Sequence, residues 1–403
     1  MRNCWLIALA AIGLHISIGS VYAWSVLTRP IMVDMEFTLS QTTWTFSLAI
    51  LMLGLSAGFL GSFAEKIGPK KSGLLTMLFW VAGLFGTAYA LSIHSLTLLY
   101  LFYGIIGGIG LGIGYITPVS TLVKYFPNRP GFATGLAIMG FGFAALIAGP
   151  LMQYLVAHVG LVNNFIILGI TYLIVMSVSS LYLKAPTPKE PTRSNQDKST
   201  MYVHNHGMLA NDAMKTWQFS ALWWVFFVNI TCGIGLLSLA SPMAQETIGM
   251  TPAAAASLVG IIGIFNGGGR IAWSTISDFL GRSQTYILFF IMEIIAFYLL
   301  SQTHSALTFQ ILILLIITCY GGGFSCMPAY LADLYGIRQL STIHGRILTA
   351  WGLAGIAGPM IVSYFHEAGY GYSMALVCFA VLFILNTIIA IVLKMYGKRD
   401  LHS

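Results

Sequence analysis

The sequence predicts an all-α polytopic membrane protein with twelve transmembrane helices in two six-helix bundles. Three observations carry that prediction. The chain of 403 residues is 57% hydrophobic and only 8% charged, where soluble proteins carry about 25% charged residues. Twelve apolar runs are each long enough to cross a hydrocarbon layer about 30 Å thick. One long polar segment divides them six and six, and landmarks of the first half recur in the second.

In order, the runs span residues 5–28, 44–64, 73–92, 96–118, 132–157, 164–184, 219–244, 252–275, 284–302, 308–330, 345–366 and 372–395. They are too long for porin strands, which alternate polarity over about ten residues. Segment 1 exceeds the apolar core of roughly 7–15 residues found in cleavable signal peptides. It ends in "SVLTRP" with no small-residue cleavage pattern after it. Residues 1–184 form the first bundle, 185–218 a linker rich in Pro, Ser, Lys and Asn, and 219–403 the second bundle.

The repeat shows in three landmarks. "GSFAEKIGPKK" after segment 2 returns as "STISDFLGRSQ" after segment 8, with Glu65 matching Asp278 and Gly68 matching Gly281 at an offset of 213. "AGP" ends at Pro150 in segment 5 and at Pro359 in segment 11, an offset of 209. Pro118 in segment 4 and Pro328 in segment 10 differ by 210. Near-constant spacing of independent landmarks marks a duplicated six-helix unit.

Charge sets the expected orientation. With the N-terminus inside, seventeen of the nineteen Lys and Arg residues fall on the cytoplasmic side. Arg29 lies outside, beside Asp34, Glu36, Glu246 and Glu367. The positive-inside rule is obeyed, and both termini are expected in the cytoplasm. The basic excess therefore serves topology in a lipid bilayer, and no nucleic acid partner is expected. The expected location is a bacterial cytoplasmic (inner) membrane, and the expected state is a monomer.

Enzyme chemistry is excluded by what the motifs lack: there is no nucleotide loop, metal cluster or nucleophile–base set, and no cofactor or metal is expected. The five cysteines, Cys4, Cys232, Cys319, Cys326 and Cys378, lack metal spacing and read as packing thiols. His204 and His206 sit in the linker and read as solvated.

The run Gly61, Glu65, Lys66, Gly68, Lys70 and Lys71 resembles the loop 2–3 signature of the major facilitator superfamily, and the resemblance covers the whole chain. The second copy departs from it, with Ser274 for the first glycine and Phe279 for the basic residue. Gly68 permits a tight turn. The resemblance implies that these residues, with Asp278, Gly281 and Arg282, form gating loops whose pairings change between conformations. Three further stretches, "GSVYAWSVLTRP", "GYITPVSTLVKYFPNRPGFATGLAI" and "NGGGRIAWSTISDFLGR", are similar to the oxalate/formate antiporter family and its relatives, the monocarboxylate transporters.

The remaining cation, Arg270, belongs to neither side of the membrane. It lies eight residues before Asp278, about 12 Å of helix at 1.5 Å per residue, close to the midplane. A lone arginine there costs about 2.5–3.5 kcal/mol on insertion scales, so it needs a partner or a watery cavity. Asn266, one turn away, accepts hydrogen bonds without neutralising; the resemblance to monocarboxylate transporters calls for an aspartate there. A distant acid such as Glu293 in segment 9 is one alternative partner. A substrate carboxylate is the other, because a guanidinium fork takes both its oxygens. Gly267, Gly268 and Gly269 permit close backbone approach to a helix or a ligand.

Other candidates surround this residue. Tyr115, Tyr320 and Phe324 lie where related carriers place aromatic substrate contacts, and Tyr320 and Phe324 share a helix face. Tyr22, Trp24 and Trp351 fit the same role. His15 is a candidate proton carrier because its ordinary titration range is physiological. Oxalate-type antiporters use a second cation in segment 11, whereas Leu348 to Phe365 contains neither Lys nor Arg. The expected function is alternating-access transport of a small carboxylate such as lactate, pyruvate or formate, with a co-transported proton or a counter-transported anion. The alternatives are a dicarboxylate exchanger of the oxalate/formate type, or an exporter of an unrelated small molecule.

Overall fold

The computed structural model describes residues 3–125, 130–185, 207–336 and 339–396. His204, His206, Lys189 and the rest of the polar stretch between 186 and 206 lie outside the described residues, as does the Glu65 side chain. The elements are helices: α1 Cys4–Gly19, α2 Leu39–Ile67, α3 Pro69–Ser92, α4 Gly108–Tyr125, α5 Pro130–Val159, α6 Leu161–Tyr182, α7 Trp217–Ile248, α8 Pro252–Leu280, α9 Arg282–Gln302, α10 Ala306–Tyr335, α11 Thr349–Phe365 and α12 Gly371–Tyr396. Among the described residues, eleven stretches are long and apolar enough to cross a membrane. The last, Thr342–Tyr396, breaks at Gly369 and Gly371, whose φ of 84° and 64° only glycine adopts readily. It supplies both α11 and α12, which brings the crossings to twelve.

Local chemistry sets several boundaries. Segment 1 was expected to end at residue 28, but α1 gives way to a 3-10 turn at Ser20–Ala23 and resumes as a helix over Ser25–Met35. Polar Arg29 and Asp34 close the apolar run without closing the helix. The Thr38 side chain caps α2 through a reciprocal pair with Gln41. Thr216 caps α7 by accepting from the Phe219 amide, so that helix starts at Trp217. Three of the five cysteines are buried, while Cys4 and Cys378 are half-buried.

The duplication is visible in the backbone. Gly68 links α2 to α3 at φ 82°, and Gly281 links α8 to α9 at φ 90°. Pro118, Pro150, Pro328 and Pro359 all lie inside helices, at corresponding places in the two halves. Within the first half, α3 packs on α6, α2 on α4 and α1 on α5; within the second, α9 packs on α12, α8 on α10 and α7 on α11. Large apolar side chains such as Phe59, Val178, Ile295 and Ile388 face outward, as a lipid-contacting perimeter requires.

The two halves meet along two helix pairs, α5 with α8 and α2 with α11. By the repeat these are the same pair used twice, since α8 corresponds to α2 and α11 to α5. Small residues make both contacts possible. A Cβ on Gly142 would stand 3.0 Å from the Gly267 Cα, and one on Gly54 would stand 2.6 Å from the Gly352 backbone. In a bilayer, helix association rests on such close van der Waals packing, because lipid tails are as apolar as leucine. Gly54→Val therefore overpacks the α2–α11 contact. We expect it to lower the stability of the purified protein by about 1–3 kcal/mol, measured by thermal unfolding in detergent; wild-type melting would show that the contact is slack.

Candidate functional site

Arg270 sits on α8 where the halves meet, and it is 3% exposed. Its Nε donates to Asn266 Oδ1 at 3.3 Å, one turn back on the same helix. Its guanidinium lies 5.1 Å from the centre of the Phe324 ring, a cation–π contact that offsets part of the burial cost. The close approach of α10 makes this possible. A Cβ on Gly321 would lie 2.4 Å from the Asn266 carbonyl oxygen and 3.3 Å from Arg270 Cγ, and one on Gly269 would lie 2.6 Å from the Thr318 carbonyl oxygen.

Aromatic rings from both halves close around the guanidinium. Phe324 stands 4.9 Å from Trp351 and 5.4 Å from Tyr320. Tyr115 stands 5.1 Å from Trp351 and 5.7 Å from Phe141. Tyr22 meets Phe141 at 4.9 Å, and its hydroxyl shares a 3.0 Å hydrogen bond with that of Tyr320 across the interface. The hydroxyls of Tyr22 and Tyr115 also lie within interaction range of Arg270. None of these rings is more than 4% exposed, so the cage is closed.

Its polar inventory is lopsided. Arg270 Nη1, Asn266 Nδ2 and Trp351 Nε1 are buried donors with no acceptor. Among the described residues no acid forms an ion pair with Arg270, and Glu293 instead receives a hydrogen bond from Asn229 Nδ2 at 3.4 Å. A buried donor without a partner loses the full value of its hydration. All three residues belong to the cage, which leaves it richer in buried donors than in acceptors.

The structure thus brings together Arg270, Asn266, Tyr115, Tyr320, Phe324, Tyr22 and Trp351. It adds Phe141, whose only sequence signal was an aromatic in the glycine-rich "GFGF" of segment 5. Trp24 lies elsewhere, 4.4 Å from Tyr103 within the first bundle. His15 stacks on Tyr115 at 5.7 Å, and its ring nitrogens each face a backbone carbonyl, Nδ1 that of Ala137 at 2.5 Å and Nε2 that of Tyr115 at 3.1 Å, of which the neutral ring can donate to only one.

The gating-loop residues cluster at one end of the molecule. Gly61 packs on Ile116, Lys66 lies in the last turn of α2, and Lys70 and Lys71 are exposed in the first turn of α3. In the second copy, Arg282 bridges Asp278 at 2.5 Å and Asp333 of α10 at 3.7 Å, and donates to the Ser277 hydroxyl. The opposite end is tied across the halves by Arg29, which reaches Gln245 at 3.0 Å and Glu246 at 3.9 Å, and by the Ser40 amide, which donates to Glu367 at 2.6 Å. Within the second half, His366 meets Glu246 at 2.7 Å.

Two crossing pairs, a central closed cage and paired loops at one end describe a carrier built from a duplicated bundle. The model of the Major Facilitator Superfamily matches residues 7–282 and again 232–401. The chain belongs to the Major Facilitator Superfamily. Superfamily members are transporters rather than enzymes, and this protein is an integral membrane secondary transporter. It is 27% identical over 356 residues to the uncharacterized MFS-type transporter YhjX of Escherichia coli (strain K12), covering 88% of this chain and 86% of the relative. It is 25% identical over 364 residues to the oxalate:formate antiporter of Oxalobacter formigenes, covering 89% and 84%. It is 22% identical over 470 residues to monocarboxylate transporter 14 of Homo sapiens, covering 96% and 90%. The fold matches the crystal structure of a bacterial homolog of the human lysosomal transporter Spinster, inward-facing and unoccupied, with a TM-score of 0.75 at 14% identity over 97% of this chain and 96% of that one.

The Tyr22–Tyr320 bond is the polar tie between the halves at the cage itself. Tyr22→Phe should cost about 0.5–1.5 kcal/mol, the net value of a neutral hydrogen bond. Thermal unfolding with and without ligand checks this: an unchanged melting temperature in both would mean that the hydroxyls contribute nothing to closure.

Proposed function

We propose that this transporter carries a small monocarboxylate, of the size of lactate, pyruvate or formate, held by Arg270 as the halves alternate around the cage. The observation that carries this reading is the set of three buried donors without acceptors, Arg270 Nη1, Asn266 Nδ2 and Trp351 Nε1. A carboxylate supplies two acceptor oxygens and the one negative charge that the guanidinium lacks, in the planar geometry that its fork accepts. Asn266 fits this role better than an aspartate would: it orients Arg270 through Nε and leaves the charge of the guanidinium available.

Charge count separates monoanion from dianion. In the resemblance to oxalate-type antiporters, segment 11 contributes a second cation. Here α11 brings Trp351 to the cage, fully buried, and contains neither Lys nor Arg. A dianion held by Arg270 alone leaves one charge unbalanced in a low-dielectric site, and the effective penalty is several kcal/mol. An indole N–H supplies a hydrogen bond in place of that charge. The printed names of the relatives, an oxalate:formate antiporter and monocarboxylate transporters, support the carboxylate class. The rings of Phe141, Phe324 and Trp351 present apolar surface that suits a short carbon chain better than a larger polar solute.

Uptake of labelled lactate, pyruvate, formate and oxalate into proteoliposomes tests the reading. At least one monocarboxylate should move, and movement of oxalate alone would overturn it. Arg270→Gln should abolish that transport while the protein still inserts. Arg270→Lys keeps the charge but loses the fork, and should weaken apparent affinity by about tenfold or more, as for a hydrogen bond to a charged group worth about 1.5–3 kcal/mol. A thermal-shift screen should show wild type, and not Arg270→Gln, stabilised by the transported acid.

A further inference from the structure

A second buried ionisable group lies one helix away from the cage. Glu293, on α9, is completely buried, and its position faces inward rather than towards lipid. Its Oε2 accepts from Asn229 Nδ2 of α7, while its Oε1 and the Asn229 Oδ1 have no partner. Among the described residues no lysine, arginine or histidine pairs with it. The groups that face it from the surrounding helices are neutral thiols, Cys232 of α7 and Cys319 of α10, with Cys378 of α12 beside Cys232. On its own helix the Tyr286 hydroxyl is turned away to the Gly323 carbonyl. Arg270 of α8 is engaged by Asn266 and Phe324 and forms no ion pair with Glu293.

The two sites share one stretch of α10. Gly321 lies against Asn266 and Arg270, whereas a Cβ on Gly323 would stand 2.2 Å from Asn229 Oδ1, the partner of Glu293. The next residue, Phe324, lies under the guanidinium. About one turn of one helix therefore touches both the cation and the amide that holds the acid, so a shift of α10 alters both.

Charge balance then couples them. In the closed molecule Arg270 contributes one positive charge and ionised Glu293 one negative charge. When a carboxylate neutralises Arg270, ionised Glu293 is left as a net buried charge, and a proton on it removes that cost. The forms that close without net charge are the one carrying both anion and proton and the one carrying neither. By linkage each ligand favours the other equally.

We propose that Glu293, held by Asn229 beneath the α10 glycine run, is a proton-binding site of this transporter, loaded together with the carboxylate and emptied to water when the bundles open. This rests on the carboxylate reading above. The step is a simple protonation: the carboxylate oxygen takes one proton from water on the loading side and returns it on the other.

The test compares wild type and Glu293→Gln, a neutral isostere, in proteoliposomes with labelled lactate, pyruvate and formate. Wild type should accumulate the transported acid under an inward proton gradient, with proton entry recorded by a trapped pH dye. Glu293→Gln should keep counterflow exchange within about twofold, lose gradient-driven accumulation and proton entry, and show a flat pH profile. Glu293→Asp, which keeps the acid, should retain coupling. Gradient-driven accumulation by Glu293→Gln with the wild-type pH profile would overturn the proposal, as would wild-type transport without proton entry. Failure of wild type to move any of the three acids would instead remove the carboxylate reading. In that case infrared spectra still decide on Glu293: a carboxylic acid band that titrates in wild type and is missing from Glu293→Gln supports a proton site, and an unchanged band removes it.

Discussion

One constraint organises the molecule: a permanent positive charge is held in the middle of a low-dielectric protein and, among the described residues, no acid is in ion-pair contact with it. Arginine does not lose its proton under these conditions, so the surroundings must manage the charge. They do so in three partial ways. Asn266 orients the guanidinium through a single hydrogen bond, Phe324 presents a ring face, and the tyrosines bring hydroxyl oxygens nearby. None of the three supplies a full negative charge. The site is therefore held in place yet electrostatically incomplete, and the proposed carboxylate would complete it.

Holding that charge centrally depends on helices that come closer than ordinary side chains allow. The glycines of α8 and α10 face each other's backbones, those of α5 and α8 do the same, and Gly54 meets Gly352 across the second interface. Each such contact replaces side-chain packing by backbone packing, and those of α5 with α8 and of α2 with α11 give the two bundles flat facing surfaces. Glycine lowers helix stability by about 1 kcal/mol relative to alanine, so a run of three in α8 and another in α10 is a local loss of helix propensity. Its return is proximity: only without side chains there can Asn266 and Arg270 of α8 and Asn229 of α7 lie against the same four residues of α10.

Much of this was legible from the residues. Arg270 stood out because charge in an apolar run is costly, and the repeat stood out because independent landmarks recur at offsets of 209, 210 and 213; the structure adds that Gly68 and Gly281 both adopt a positive φ. What the sequence hid was direction. Phe141 and Trp24 are both aromatics in apolar helices, yet one joins the cage and the other packs inside the first bundle; periodicity does not separate two buried faces of one helix. The same ambiguity hid the inward setting of Glu293. Arg29, Glu246 and Glu367 were read as charges at a membrane surface; Arg29 meets Glu246 across the halves, and the contacts of Glu367 with Ser40 and of His366 with Glu246 depend on the fold of the π-turn His366–Tyr370, which no local pattern announces.

The identity of the side chain at position 351 shows how selectivity follows from charge count rather than from shape alone. A lysine or arginine reaching the cage from α11 would create a site of charge two, suited to a dianion and repulsive when empty or half-filled. Tryptophan keeps a directional donor there, contributes apolar area, and packs against Tyr115 and Phe324 at about 5 Å, within the range favoured by aromatic pairs. The empty cage then holds one charge rather than two, which lowers the barrier to closing around nothing. A carrier that closes empty completes net transport, whereas one that closes only when filled is confined to exchange. Under the proposed monocarboxylate reading, the lack of a second cation in α11 thus bears both on the charge of the ligand and on whether the carrier must return loaded, and it puts the distinction between exchange and net uptake in the balance between Arg270 and a proton.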